Sequence, residues 1–226
     1  MFVAAPAEAA CRLALVLALD ISSSVDSEED RLQRQGLAAA LRDPEVIAAF
    51  LAGEDRVALM VYEWSGRYNQ ARLLDWTMIE TAQDLASASD TIAGSPRSHN
   101  DFPTAMGYAI GFAATLFREG PECYFRTIDV SGDGENNDGF PPRLAYEAFD
   151  LAEVTVNGLV VNGGEYEAET NLIDYYETEV IRGPNAFIEV VDGFDDFQRA
   201  MTRKLIRELS AQILGSNRLG PDRPRG

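Results

Sequence analysis

With 226 residues, 46% of them apolar and 25% charged, the chain has the balance of a globular protein and a length suited to one α/β domain rather than two. The formal charge of −18, with Lys204 the only lysine, repels phosphate backbones and anionic head groups, so no nucleic-acid partner is expected. The best apolar run, Leu13 to Leu19, falls well short of the ~20 residues of a membrane-spanning helix, so no membrane insertion is expected either.

Residues 1–10 (MFVAAPAEAA) contain Ala-x-Ala spacings like the cleavage region of a secretory signal. They read as the remnant of an export signal, and place the protein in a periplasm or outside the cell. From residue 11 to 214 strand-like and helix-like segments alternate, the pattern of βαβ units around a mostly parallel sheet. The first strand is the aliphatic run Leu13 to Leu19, ending at Asp20. A helix follows from about Ser27, with Ser27-Glu28-Glu29-Asp30 as cap and acidic first turn, and Leu32, Leu37 and Leu41 as its apolar stripe.

Arg56 to Trp64 and Gln70 to Trp76 read as the second and third strands, a hairpin turned at Ser65-Gly66-Arg67 that makes the third an antiparallel edge. Helices are expected at Met78 to Ile92 and, after the loop GSPRSHNDFP, at Thr104 to Phe117, whose alanines and glycines suit tight packing on the sheet. Cys123 to Val130, Val154 to Val161 and Ala186 to Val191 supply three further strands. Helices fill Pro142 to Leu151, Leu172 to Val180 and Phe194 to Leu214, and residues 215–226 read as a disordered tail. The fold class is therefore three-layer, doubly wound α/β, with a six-stranded sheet.

Ligands of open α/β sheets bind beyond the carboxyl ends of the strands. Two such ends are acidic. The first strand ends in Asp20-Ile21-Ser22-Ser23-Ser24, a carboxylate and two hydroxyls at alternate positions, and the fourth runs into Asp133 between Gly132 and Gly134. Oxygen donors of this kind suit one hard divalent cation, Mg²⁺ first, with Mn²⁺ or Ca²⁺ as alternatives. Thr104, at the start of the small-residue helix, is placed to add a third hydroxyl.

D-x-S-x-S after the first strand, a Thr at a helix start and Asp-Gly after the fourth strand together resemble the metal-ion-dependent adhesion site of von Willebrand A domains. The resemblance implies Asp20, Ser22, Ser24, Thr104 and Asp133 as the metal shell. It also implies a protein-binding role, in which a partner's acidic side chain completes the coordination. The segments LALVLALDISSSVDSEEDRLQRQGLAAAL, VYEWS, IDVSGDGENN and VNGLVVNG are similar to a bacterial family of exported von Willebrand A-like proteins without an established function. Most A domains place Thr before the fourth-strand Asp, where this chain has Gly132. Asp129, four residues earlier, is an alternative metal carboxylate or, with Asn136, stands behind the shell. In the family's strand order the first and fourth strands are neighbours, which makes a Cys11–Cys123 disulfide plausible; the alternative is two buried thiols.

Other readings carry less. Serines and aspartates after strands are ordinary capping residues when taken alone. His99 is the only histidine, which argues against multi-histidine zinc or iron sites, and reads as a solvent-exposed loop residue. No nucleophile-elbow G-x-S-x-G is present, so no enzyme activity is expected. The rival is a Mg²⁺-dependent phosphohydrolase, disfavoured because Ser22 stands where haloacid-dehalogenase-like phosphatases need a second Asp. A third reading is a structural domain whose metal only rigidifies the top loops.

Overall fold

The computed structural model describes residues 10–162 and 166–216. The export-signal remnant expected at 1–10 and the tail expected at 215–226 therefore lie, except for residues 10, 215 and 216, outside the described residues. The strands are β1 Cys11–Asp20, β2 Arg56–Ser65, β3 Asn69–Ile79, β4 Cys123–Gly132, β5 Val154–Val161 and β6 Ile188–Val191. They form one sheet in the order β3-β2-β1-β4-β5-β6, parallel throughout except for the antiparallel edge pair β2–β3. The order reverses direction between β1 and β4, and at that switch the connections that leave the two strands run to opposite faces of the sheet, α1 to one and α5 to the other, the place where open α/β sheets bind ligands.

The helices are α1 Ser27–Ala40, α2 Pro44–Phe50, α3 Ala82–Ala93, α4 Met106–Glu119, α5 Pro142–Ala148, α6 Tyr166–Tyr175 and α7 Phe197–Ser216. A π-helical turn, Tyr176–Val180, continues α6, and a 3₁₀ turn, Phe194–Asp196, leads into α7. Alternation along the central strands separates two cores. Leu13, Leu15, Leu17 and Leu19 of β1 pack towards Leu37, Phe50, Leu85 and Leu205 of the layer made by α1, α2, α3 and α7. Val16 and Ala18 face Ile110, Ala113, Ala145 and Tyr176 on the other side, and Trp64 joins this second core while Trp76 packs against its edge.

Several boundaries differ from expectation. The cap of α1 is Asp26, whose carboxylate accepts from the Glu28 and Glu29 amides in a reciprocal capping box with Glu29; Ser27 is the first helical residue. Met78 and Ile79 end β3, and Thr81 caps the helix that follows. The helix α4 begins at Met106, so Thr104 precedes it. Its glycines do not serve the sheet: a Cβ at Gly107 would fall 2.1 Å from the Phe140 carbonyl, and one at Gly111 would fall 2.8 Å from the Phe149 ring. They admit the segment that leads into and out of α5.

Cys11 and Cys123 are register partners on β1 and β4 and are joined by a disulfide across 112 residues of chain. It lies at the amino ends of these strands, and the acidic strand ends lie at the other.

Candidate metal centre

Asp20 ends β1 and is fully buried. Its Oδ1 accepts from the Ser22 amide at 2.7 Å, which folds the chain back so that the Ser22 and Ser24 hydroxyls stand 3.1 Å apart. The Ser24 hydroxyl donates to Asp133 Oδ1 at 2.6 Å, across 109 residues of sequence. Thr104 is buried immediately before α4, and a Cβ built on Gly134 would stand 3.6 Å from its Oγ1 and 4.0 Å from Ser24 Oγ. The five residues singled out in the sequence thus come from three distant segments to one place at the β1–β4 switch.

The electrostatics of this cluster are those of two carboxylates with too little positive charge. Burial, and next the nearby Asp133, raise Asp20 to about 8, against the hydrogen bonds from Ser22 and the charge of Arg97. Burial also raises Asp133, opposed by the Ser24 hydrogen bond. Asp20 Oδ2 is buried without a hydrogen-bond partner, an arrangement that is costly unless something else binds the oxygen. Among the described residues, no three His, Cys, Asp or Glu side chains cluster as a metal site. The donor set here is two carboxylates and three hydroxyls, all oxygen, which fits a hard divalent cation.

The family described as "Protein of unknown function (DUF1194)" matches residues 10–213. The chain belongs to this family. No curated protein matches it in sequence. Among solved structures it is similar to proximal thread matrix protein 1 from the mussel byssus, with a TM-score of 0.61, 15% identity, and coverage of 90% of this chain and 49% of that one. A form of that mussel protein described as having a zinc-occupied MIDAS motif gives a TM-score of 0.59 at 15% identity, with the same coverage. The pilus adhesin SpaC from Lactobacillus rhamnosus GG gives a TM-score of 0.60 at 13% identity, covering 92% of this chain and 31% of that one. A protein described as von Willebrand factor type A from Catenulispora acidiphila gives a TM-score of 0.57 at 13% identity, covering 90% of this chain and 43% of that one, and with it these likenesses establish the von Willebrand A fold. The chain spans about half the length of the mussel protein and about a third of the adhesin.

In this member of the family, residues that the sequence reading passed over hold the cluster in place. The Arg97 guanidinium donates to the carbonyls of Ile21, Ser22, Asp26 and His99, at 2.7 to 3.3 Å, and so fixes the loop after β1. Gln33 donates to the Asp20 carbonyl and accepts from Ser131, tying α1 to the ends of β1 and β4. Arg34 pairs with Asp30 and with the buried Glu63, whose other oxygen accepts from the Ser98 amide. Glu63 was visible in the sequence as a lone carboxylate within the apolar run VALMVYEW. Gln33 and Arg34 lay on the buried face of a helix whose stripe was read only from leucines.

Gly132 has a local reason for departing from the usual threonine. A Cβ there would lie 2.8 Å from both Asp20 Oδ2 and the hydroxyl of Tyr176, itself buried and without a hydrogen-bond partner. Asn137 Oδ1 accepts from the Thr104 amide, and the Asn137 and Asp138 amides donate back to the Thr104 carbonyl. Asn136 acts similarly on α4, accepting from the Gly107 amide. The turn after β4 is therefore wired to Thr104 and to the start of α4.

Asp129 does not join the cluster. It is the register partner of Leu17 and so faces the α7 layer, where its Oδ1 lies 2.8 Å from Lys204 Nζ. Lys204 also pairs with Glu208 at 2.8 Å, and Asn157 donates to the same Glu208 oxygen at 2.6 Å. Burial, beyond what Lys204 offsets, holds Asp129 at about 7. His99 is half-buried rather than solvent-exposed, its ring edge-on to Phe102 at 5.2 Å.

Proposed function

We propose that this protein is a metal-dependent protein-binding module of the adhesion type. In this reading residues 11–214 form the module, and Asp20, Ser22, Ser24, Thr104 and Asp133 hold one divalent cation, Mg²⁺ first. The observation that carries the reading is the buried, unpartnered Oδ2 of Asp20 within a cluster of hydroxyls and a second raised carboxylate. The three hydroxyls bind a cation without adding charge, and the two aspartates neutralise it, directly or through water. A bound cation supplies a Lewis-acidic position that a carboxylate of another protein fills.

Arg97 and Gln33 hold the loop after β1 in the shape that presents Ser22 and Ser24 together. Two neighbours of the same fold support the role: one is described as having a zinc-occupied MIDAS motif and another as a pilus adhesin. Export to an oxidising compartment is part of the proposal, and the Cys11–Cys123 bond fits it. Among the described residues no helix is long and apolar enough to cross a membrane.

The test is calorimetric titration of Mg²⁺, Mn²⁺ and Ca²⁺ into chelator-treated protein. Saturable binding at one site is expected, absent in Asp20→Ala and in Ser22→Ala/Ser24→Ala. Folded wild-type protein that takes up none of the three ions contradicts the proposal.

A further inference from the structure

The surface around the proposed metal position has two properties that the metal reading does not require. The first is exposed aromatic area. Tyr68, at the tip of the β2–β3 turn, is 85% exposed, and Phe102, two residues before Thr104, is 40% exposed. Phe102 belongs to the loop that carries Thr104, and its carbonyl accepts from the Ser23 amide; the β2–β3 turn of Tyr68 lies against that loop, the Gly66 amide donating to the Pro103 carbonyl. Each ring stands beside another aromatic ring. Tyr68 stands edge-on to Tyr108 at 6.1 Å, Tyr108 stacks on Phe140 at 4.1 Å, and Phe102 stands edge-on to His99. Aromatic side chains carry large apolar area on two torsions, so covering them costs little entropy, and they are frequent anchors of binding at interfaces.

The second property is charge. Asp26, Asp101 and Glu135, which flank Ser24, Phe102 and Asp133 in sequence, are exposed. The two arginines of these loops are occupied: Arg97 is bound to backbone carbonyls, and Arg67 pairs with Asp138. A partner carboxylate approaching the cation must therefore cross an acidic rim on a chain of net charge −18. An isolated acidic segment is repelled there, whereas a carboxylate carried between cationic side chains is steered in.

We infer that the partner of this surface is a protein segment in which one Asp or Glu is flanked by Arg or Lys and by an aromatic residue. The carboxylate goes to the cation, the basic residues to Asp26, Asp101 and Glu135, and the aromatic residue to Tyr68 and Phe102. This rests on the metal-dependent reading and adds what the neighbouring positions must be.

A displayed library of short peptides with a fixed central Asp, panned on the full chain in Mg²⁺ and eluted with chelator, tests it. The recovered sequences are expected to be enriched in Arg, Lys and aromatic residues beside the Asp. Tyr68→Ala and Phe102→Ala are each expected to weaken the best peptide by about tenfold while leaving calorimetric Mg²⁺ binding unchanged. Chelator-sensitive peptides with no flanking preference, or full affinity in both variants, overturn the inference and leave the metal-dependent reading standing. A chain that binds Mg²⁺ and captures no chelator-sensitive peptide overturns the inference and the carboxylate-partner role together.

Discussion

Lys204→Met isolates the energetics of the buried charges beneath α7. Lys204, Asp129 and Glu208 are each no more than 3% exposed, and the one ammonium lies 2.8 Å from each of the two carboxylates. Burial lowers the lysine pKa, but Asp129 and Glu208 outweigh burial and raise it, so in the wild type Lys204 stays charged through neutral pH. Methionine keeps most of the volume and leaves two buried carboxylates without a cation. Removing one partner of a buried pair costs about 3–5 kcal/mol, and that is the loss expected at about pH 8.

The sign with pH follows from linkage. Asp129 is already raised by burial in the wild type, and the variant removes the Lys204 charge that opposes this, so its folded pKa stays above the unfolded value of about 4. The folded state then binds a proton that the unfolded state has released, so its stability falls as pH rises from about 4 through that raised value. Urea unfolding at about pH 5 should show a distinctly smaller loss than at about pH 8. Asp129→Asn/Lys204→Met/Glu208→Gln, which removes all three charges, should recover part of the loss at the higher pH. A loss below about 1 kcal/mol at pH 8, or one independent of pH, would refute the reasoning.

Gly132→Ala pushes a methyl group against Asp20 Oδ2 and Tyr176; overpacking of this kind costs roughly 1–3 kcal/mol. Urea unfolding should show that loss and calorimetry weaker Mg²⁺ binding, and an alanine variant matching wild type in both would contradict the geometry. Because Asp20 is raised to about 8 in the metal-free protein, cation binding near neutral pH should release a proton and tighten with pH up to about 8. Calorimetry in buffers of different ionisation enthalpy reads the released proton directly, and its absence would mean that Asp20 is already ionised. The disulfide closes a loop of 112 residues, so Cys11→Ser/Cys123→Ser should lose about 2–5 kcal/mol by urea unfolding, with metal affinity unchanged because the bond lies at the far end of the strands.

The parts of this molecule that were legible in sequence are those governed by apolar periodicity. The run Val154 to Val161 became β5 with both boundaries as read, and the hairpin of β2 and β3 followed from its turn residues. Periodicity treats a polar residue as outward-facing, so it passed over Gln33, Arg34 and Lys204, all buried and all satisfied by partners distant in sequence or on another element. The helix α2 escaped because it is one short element of seven residues, though Asp43-Pro44 carries its cap and first turn. For the candidate site, D-x-S-x-S and Asp133 could be read locally. The choice between Asp129 and Asp133 could not, because it depends on register: pairing with Leu17 turns Asp129 towards α7.

The most direct test of the account is the position of the ion itself. Crystals grown with Mn²⁺ and measured for anomalous scattering should show one strong peak bonded to Ser22, Ser24 and Thr104, with Asp20 and Asp133 bonded to it or one water away. A peak elsewhere on the acidic surface, or none at the β1–β4 switch in crystals soaked to saturation, would contradict the central claim.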